Sequence, residues 1–138
     1  MASPKKVHVY AGHSDKAAMA AHRYGRLQEQ IEAAEHAGVL LFSPMNVRYA
    51  TDTVYAAITN MHSPSRAVFV PREGLAVLYE SAEPRLEEIP AHIREIRDSP
   101  VTAYYVAGDA YSDRLSGWAN EIAELVGRSG SSRRIAID

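Results

Sequence analysis

Between Asn46 and Arg66 the chain gathers Asn46, Arg48, Tyr49, Asp52, Tyr55, Asn60, His62 and Arg66, with apolar runs on both sides. A guanidinium presents a planar pair of donors that forks onto a carboxylate. A tyrosine walls a pocket with an apolar face and a polar tip. Segments between core elements are where binding residues concentrate. Arg66, Arg48, Tyr49, Tyr55 and His62 are therefore the candidate binding residues. A structural alternative stands beside this reading: Arg48 and Arg66 make ion pairs, for example with Asp52, and the tyrosines belong to the core.

No pattern in the chain supplies catalysis. GxxxxGK[ST], strand-linked GxGxxG, GxSxG and HExxH are all absent. The six histidines are scattered at 8, 13, 22, 36, 62 and 92. His22 and His36 lie on or near one helix but about 21 Å apart along it, too far to share a metal. With no three or four convergent ligands, no metal site is expected in this chain. Glu87, Glu88, Glu121 and Glu124 sit on surface-like helical faces and read as solvated charge. Asp109 and Asp113 flank a helix start, where capping accounts for them. No catalytic residue is assigned.

The 138 residues suit one domain with one core. A formal net charge of −2 and the lack of a basic stripe give no reason to expect a nucleic-acid partner. Lys5-Lys6 and Arg133-Arg134 read as solvated pairs. The absence of cysteine excludes disulfides, thiolate metal sites and a cysteine nucleophile. No apolar run approaches the roughly 20 residues that span a bilayer. No apolar stretch follows the N-terminal lysines as in a signal peptide. The expectation is a cytoplasmic protein with no membrane partner.

The elements that must position the candidate residues follow from periodicity. Residues 1–13 form an N-terminal arm, in which Val7 to Tyr10 can make an edge strand. From Ser14, a potential cap, Tyr24, Leu27, Ile31 and Ala34 lay one apolar stripe along a helix. Gly25 weakens its first turns, and Gly38 supplies the left-handed residue that ends it. Val39 to Phe42 is a buried strand closed by the turn signal Ser43-Pro44. Asn46 to Thr53 is a turn or helical turn, Thr53 to Ile58 a further strand, and Thr59 to Ser65 a loop. Two β-rich runs, Arg66 to Val70 and Leu75 to Tyr79, flank Pro71-Arg72-Glu73-Gly74 as a hairpin.

Pro84 to Ile96 is predicted helical with a break at Pro90, and Val101 to Val106 a strand. A last helix, capped by Ser112 or Asp113, carries Leu115, Trp118, Ile122, Leu125 and Val126 on one face. A Gly/Ser turn over Gly127 to Ser132 leads to a strand at Arg134 to Ile137. This order predicts an α/β fold: a mixed sheet of about five or six strands with helices on its faces. A terminal strand normally leads onward. The stop at Asp138 is therefore expected to mark a domain boundary in a longer protein, with a native short protein as the alternative.

Ala37-Gly38 before an apolar strand, then SPMNVRYATD, the RAVFVPREGLAVL hairpin and the RRIAID ending resemble the creatinase/prolidase/Xaa-Pro aminopeptidase N-terminal domain in order and spacing. Many members carry YLTG where this chain has Tyr49-Ala50-Thr51-Asp52. From Pro44 to Val70 the chain is most similar to the dimethylsulfoniopropionate lyase branch of these pita-bread metalloenzymes.

The resemblance implies a ribonuclease-H-like creatinase N-terminal domain over residues 14–138, with the pita-bread catalytic domain absent. It implies a non-catalytic part of a metal-dependent peptidase or creatinase-type hydrolase, Xaa-Pro peptidase-like. That part would mediate homodimerisation and close over the substrate site of its own C-terminal catalytic domain. The substrate would be a small polar molecule or peptide, and Arg66 is the nearest equivalent of an arginine that binds its carboxylate. The divalent metal would belong to the absent domain, with none held here. Two alternatives stay open: the matching domain of a dimethylsulfoniopropionate lyase-like enzyme, or a standalone binding or dimerisation module. An unrelated doubly wound domain of receiver type is disfavoured, because Val39 to Phe42 ends in Ser-Pro rather than in an acidic cluster.

Overall fold

The computed structural model describes residues 14–53, 66–80, 89–99, 104–130 and 132–138. The arm at 1–13, the strand expected beyond Thr53 and the loop from Thr59 to Ser65 lie outside the described residues; Thr53 itself is not in a strand.

Helix α1 (Ser14–Ala33) runs uninterrupted through Gly25, with no late start. Ala20, Tyr24 and Ile31 are buried, and Leu27 packs against them. Ala34, placed on the stripe by its spacing, is exposed because the helix has already ended. The terminator is Glu35, not Gly38. Glu35 is left-handed at φ 55°. Its N–H donates to Glu32 O at 2.9 Å, and the next N–H, of His36, donates to Ile31 O at 3.0 Å. This is the Schellman pattern.

Gly38 instead opens strand β1 (Gly38–Leu41). A Cβ there would sit 2.7 Å from both the Phe69 ring and the Val70 carbonyl oxygen. Glycine is required by close approach of the neighbouring strand, not by a turn.

Helix α2 (Pro44–Thr51) begins with Pro44 in its first turn, where the missing N–H costs nothing. Strands β2 (Ala67–Pro71) and β3 (Ala76–Glu80) form the expected antiparallel hairpin.

The second half departs from the sequence reading. Ile93 and Ile96, three apart, read as a helical face, yet Ile93–Asp98 is strand β4. It pairs in parallel with β3, and the register shifts between Ala76/Ile93 and Val77/Glu95. One extra residue in β4 lets Ile93 and Ile96 both reach the face of Ala76 and Leu78. A bulge thus gives a strand the i, i+3 spacing of a helix. Tyr104–Ala107, overlapping the end of the predicted strand Val101 to Val106, whose first three residues lie outside the described ones, forms the short helix α3, followed by a 3₁₀ turn at Gly108–Ala110.

Helix α4 (Tyr111–Arg128) starts without a side-chain cap. Asp113 lies in its first turn rather than ahead of it, so it favours the dipole without capping. The helix continues through Gly127 before strand β5 (Ile135–Ile137).

Among the described residues five strands lie in the order β4-β3-β2-β1-β5, with β2 alone of these antiparallel to the rest. Alternate residues feed two cores. Val39, Leu41, Val68, Val70 and Leu78 meet α1 and α2. Leu40, Phe69, Val77 and Tyr79 meet Ile122, Leu125 and Val126 of α4. Sheets covered on both faces read as continuous apolar runs, which is why β1 and β2 were visible in the sequence. The fold is α/β, a mixed five-stranded sheet between helices.

Candidate functional site

Three of the five candidate residues lie in the described structure; Tyr55 and His62 fall outside it. The three do not share one contact set. Arg66 is buried at the mouth of the hairpin, where its Nε donates to Glu80 Oε2 at 2.6 Å. The same guanidinium donates to Thr53 O at 3.2 Å and to Thr53 Oγ1.

The polar chain continues inward. Thr51 Oγ1 donates its single proton to Val47 O at 2.7 Å, so the 2.6 Å contact between Thr51 and Thr53 has Thr53 as donor. Val47, Thr51, Thr53, Arg66 and Glu80 form one buried polar line from α2 to β3. Thr53 and Arg66, the residues that bound 54–65, are bonded to each other directly.

Tyr49 and Arg48 are exposed on α2. The Arg23 guanidinium of α1 lies 5.9 Å from the centre of the Tyr49 ring and donates to Asp52 Oδ1 at 2.5 Å. Lys16 Nζ is 3.9 Å from the other Asp52 oxygen.

Asp52 closes α2 in the left-handed conformation at φ 52°, with its N–H on Arg48 O. This position explains the departure from YLTG. Glycine suits a left-handed helix terminus at no steric cost, whereas aspartate accepts some strain. Here aspartate gains the two cations of α1. The expected pairing of Asp52 with Arg48 or Arg66 is replaced by Arg23 and Lys16.

Below α2, His92 stacks on Tyr24 with ring centres 4.4 Å apart and donates from Nε2 to Ala50 O at 2.9 Å. Burial holds the His92 pKa below its ordinary 6.5, against the opposing pull of the Ala50 carbonyl and of Asp52; Arg23 adds to the depression. Burial likewise pushes the Tyr24 hydroxyl far up, and this hydroxyl donates to Gly74 O at 3.1 Å.

The front of α2 is held by Asp138. Its carboxylate accepts from the N–H of Phe42 at 2.6 Å, from that of Ser43 at 3.2 Å and from Asn46 Nδ2 at 2.7 Å. Ser43 makes no side-chain cap; the Asp138 carboxylate instead binds the backbone just ahead of α2 and the Asn46 side chain in its first turn, near the positive end of the dipole.

Sequence reasoning missed Arg23, Glu80, His92 and Asp138. Each meets its partner only through the tertiary fold, and no local spacing marks it. Among the described residues no group of three or more His, Asp or Glu side chains is placed to hold a metal ion. No described helix is long and apolar enough to cross a membrane. Among the described residues the arrangement offers a pinned, polar-edged helix and a buried anchor.

A mixed sheet between α1–α2 and α4, with the SPMNVRYATD motif forming α2, defines a creatinase N-terminal-like domain. No protein-family model matches the chain. Two curated relatives do. The dimethylsulfoniopropionate lyase DddP of Roseobacter denitrificans is 34% identical over 126 residues, covering 90% of this chain and 28% of that protein. The DddP of Roseovarius nubinhibens is 31% identical over 118 residues, covering 84% and 26%. An Xaa-Pro aminopeptidase from Streptococcus pyogenes shares the fold, with a TM-score of 0.50 and 16% identity over 88% of this chain and 93% of that one. Over nearly its whole length the chain is homologous to one part of these lyases, which are of the pita-bread metalloenzyme family, and this is consistent with a creatinase N-terminal-like domain. It spans little more than a quarter of the length of the curated relatives it matches.

Proposed function

We propose that this chain is the non-catalytic accessory domain of a dimethylsulfoniopropionate lyase-like enzyme. The observation that carries the reading is the 34% and 31% identity to two such lyases over nearly the whole chain. The likeness to the Xaa-Pro aminopeptidase, at 16% identity, speaks for the fold alone. The lyase alternative is therefore preferred over the hydrolase reading.

In this proposal the domain supports a homodimer in the cytoplasm and closes over the substrate site of a catalytic domain, which would hold the divalent metal. Tyr55 and His62 join Arg48 and Tyr49 as the substrate-binding residues of that site. Arg66 holds the base of segment 54–65, and the exposed Arg48 meets the substrate carboxylate. The exposure of Arg48 and the engagement of Arg66 by Glu80 support this division.

The test compares this 138-residue chain with the product of its complete reading frame. The longer product is expected to consume dimethylsulfoniopropionate, to run as a dimer in light scattering and to leave Xaa-Pro peptides intact. The 138-residue chain is expected to turn over neither compound. Peptide cleavage by the longer product, or turnover by this chain alone, would sink the proposal.

A further inference from the structure

Strands β1 and β5 pair in parallel, so both finish at the same end of the sheet. After β1 the chain passes through Phe42 and Ser43 straight into α2, the helix that carries Arg48 and Tyr49. After β5 comes Asp138, whose N–H lies 3.4 Å from Leu40 O of β1. One carboxylate therefore stands where β1 hands the chain to α2.

Its two oxygens act on different parts of that junction. Oδ1 accepts from the Phe42 N–H at 2.6 Å, and Oδ2 accepts from Asn46 Nδ2 at 2.7 Å. The Ser43 N–H lies 3.3 Å from the first oxygen and 3.2 Å from the second. The backbone bonds fix where the chain enters the helix. The Asn46 bond fixes how the helix is turned about its axis. Arg48 and Tyr49 follow Asn46 at about 200° and 300° round the same axis, so any rotation at Asn46 carries both with it.

Helix α2 has eight residues, too few to hold its geometry unaided. Its far end is fixed by Asp52 on Arg23 and by His92 on Ala50 O. With that end held, loss of the Asp138 bonds leaves tilt and rotation of the first turn as the remaining freedom. Bonds to an ionised carboxylate are about twice as strong as neutral ones, which suits this single point of control. A misplacement of about 1 Å at a binding group can cost about 100-fold in rate.

We propose that Asp138 is a positioning residue: through Asn46 and the Phe42–Ser43 backbone it sets where α2 presents Arg48 and Tyr49 to a carboxylate substrate. The inference rests on the accessory-domain reading, in which those two residues meet the substrate. It makes the end of β5 part of the substrate site without touching the substrate.

The test uses the product of the complete reading frame, with dimethylsulfoniopropionate as substrate and a thermal melt beside each kinetic run. Asp138→Ala is expected to raise KM at least about tenfold with kcat within about threefold, since uniform binding is what it removes. Asp138→Asn keeps the position and drops the charge. Its amide oxygen accepts from Phe42 and Ser43, and its NH2 donates to Asn46 Oδ1 once that amide turns over. Its KM is expected within about threefold of wild type. Asn46→Ala, which leaves the backbone bonds in place, should raise KM at least about threefold, and adding it to Asp138→Ala should raise KM no further.

An unchanged KM in Asp138→Ala overturns the inference, as does a lower melting temperature with no change in KM. Equal damage from Asp138→Asn and Asp138→Ala would show that charge, not position, is what matters, and also overturns it. Where Asp138→Ala does not fold, Asn46→Ala decides: an unchanged KM there overturns the inference. Each of these outcomes leaves the accessory-domain reading standing. A wild-type product that does not consume dimethylsulfoniopropionate overturns both.

Discussion

Arg66 and Glu80 face each other across the open end of the β2–β3 hairpin, Nε to Oε2 at 2.6 Å, with side chains 7% and 1% exposed. The pair lies where β2 begins and β3 ends, and Thr53 completes it from the end of α2. A buried ion pair of this kind ties three chain segments to one point. It also occupies the guanidinium that the family resemblance assigns to a substrate carboxylate.

Removing one partner of a buried pair strands the other charge, at a cost of about 3–5 kcal/mol. Arg66→Ala and Glu80→Ala are each expected to lose that much in urea unfolding. Arg66→Met combined with Glu80→Leu should regain most of it, because apolar replacement of both partners is often nearly neutral. Arg66→Ala with unchanged stability would return Arg66 to the role of a free ligand-binding arginine.

At Asp52 two effects compete, and glycine separates them. Asp52→Ala loses the bonds to Arg23 and Lys16. It also keeps a side chain at φ 52°, where a residue with a Cβ carries about 1–2 kcal/mol of strain. Asp52→Gly loses the same bonds but relieves the strain. The alanine variant is expected to unfold first, with the glycine variant closer to wild type. The reverse order in thermal melts would show that the left-handed terminus is not what position 52 must satisfy.

These contrasts mark what the sequence discloses. The buried strands β1 and β2, the hairpin and the apolar face of α4 were legible because each rests on local periodicity and turn chemistry. Strand β4 was not, since its bulge converts a two-residue period into the three-residue spacing of Ile93 and Ile96. The helix terminator was misplaced because glycine has two uses: Gly38 serves strand contact, while Glu35 takes the left-handed turn. In the candidate site, the α2 motif placed Arg48, Tyr49 and Asp52 on one element. The partners of Asp52, Arg66 and Ser43 come from α1, β3 and the end of β5, at separations that no pattern encodes.

His92 makes stability depend on pH in a stated direction. Unfolded, it titrates near 6.5; folded, burial lowers that value, so the native state prefers the neutral ring. Its contribution is full above about pH 6.5 and is lost as pH falls through the lowered folded value. His92→Gln keeps an N–H for Ala50 O without a titrating ring. It should flatten the part of the stability profile just below pH 6.5, leaving the carboxylate-driven loss at lower pH. Parallel profiles for the two proteins would mean that the ring is not held neutral by the fold, the Ala50 carbonyl and Asp52 having offset burial and Arg23.

Gly25 and Gly38 respond oppositely to the same methyl group. At Gly25, inside α1, an added Cβ meets nothing within 4 Å. Gly25→Ala removes backbone freedom from the unfolded chain and is expected to stabilise by about 0.5–1 kcal/mol. At Gly38 the same Cβ runs 2.7 Å from the Val70 carbonyl oxygen, a backbone atom that cannot yield without shifting β2. Gly38→Ala is expected to cost about 1–3 kcal/mol as overpacking. Hydrogen exchange should show the damage in β1 and β2, the strands whose separation it forces apart. A stable Gly38→Ala variant with undisturbed exchange there would mean that β1 has room at its first residue, against the pairing of Gly38 with Pro71 and Ile135.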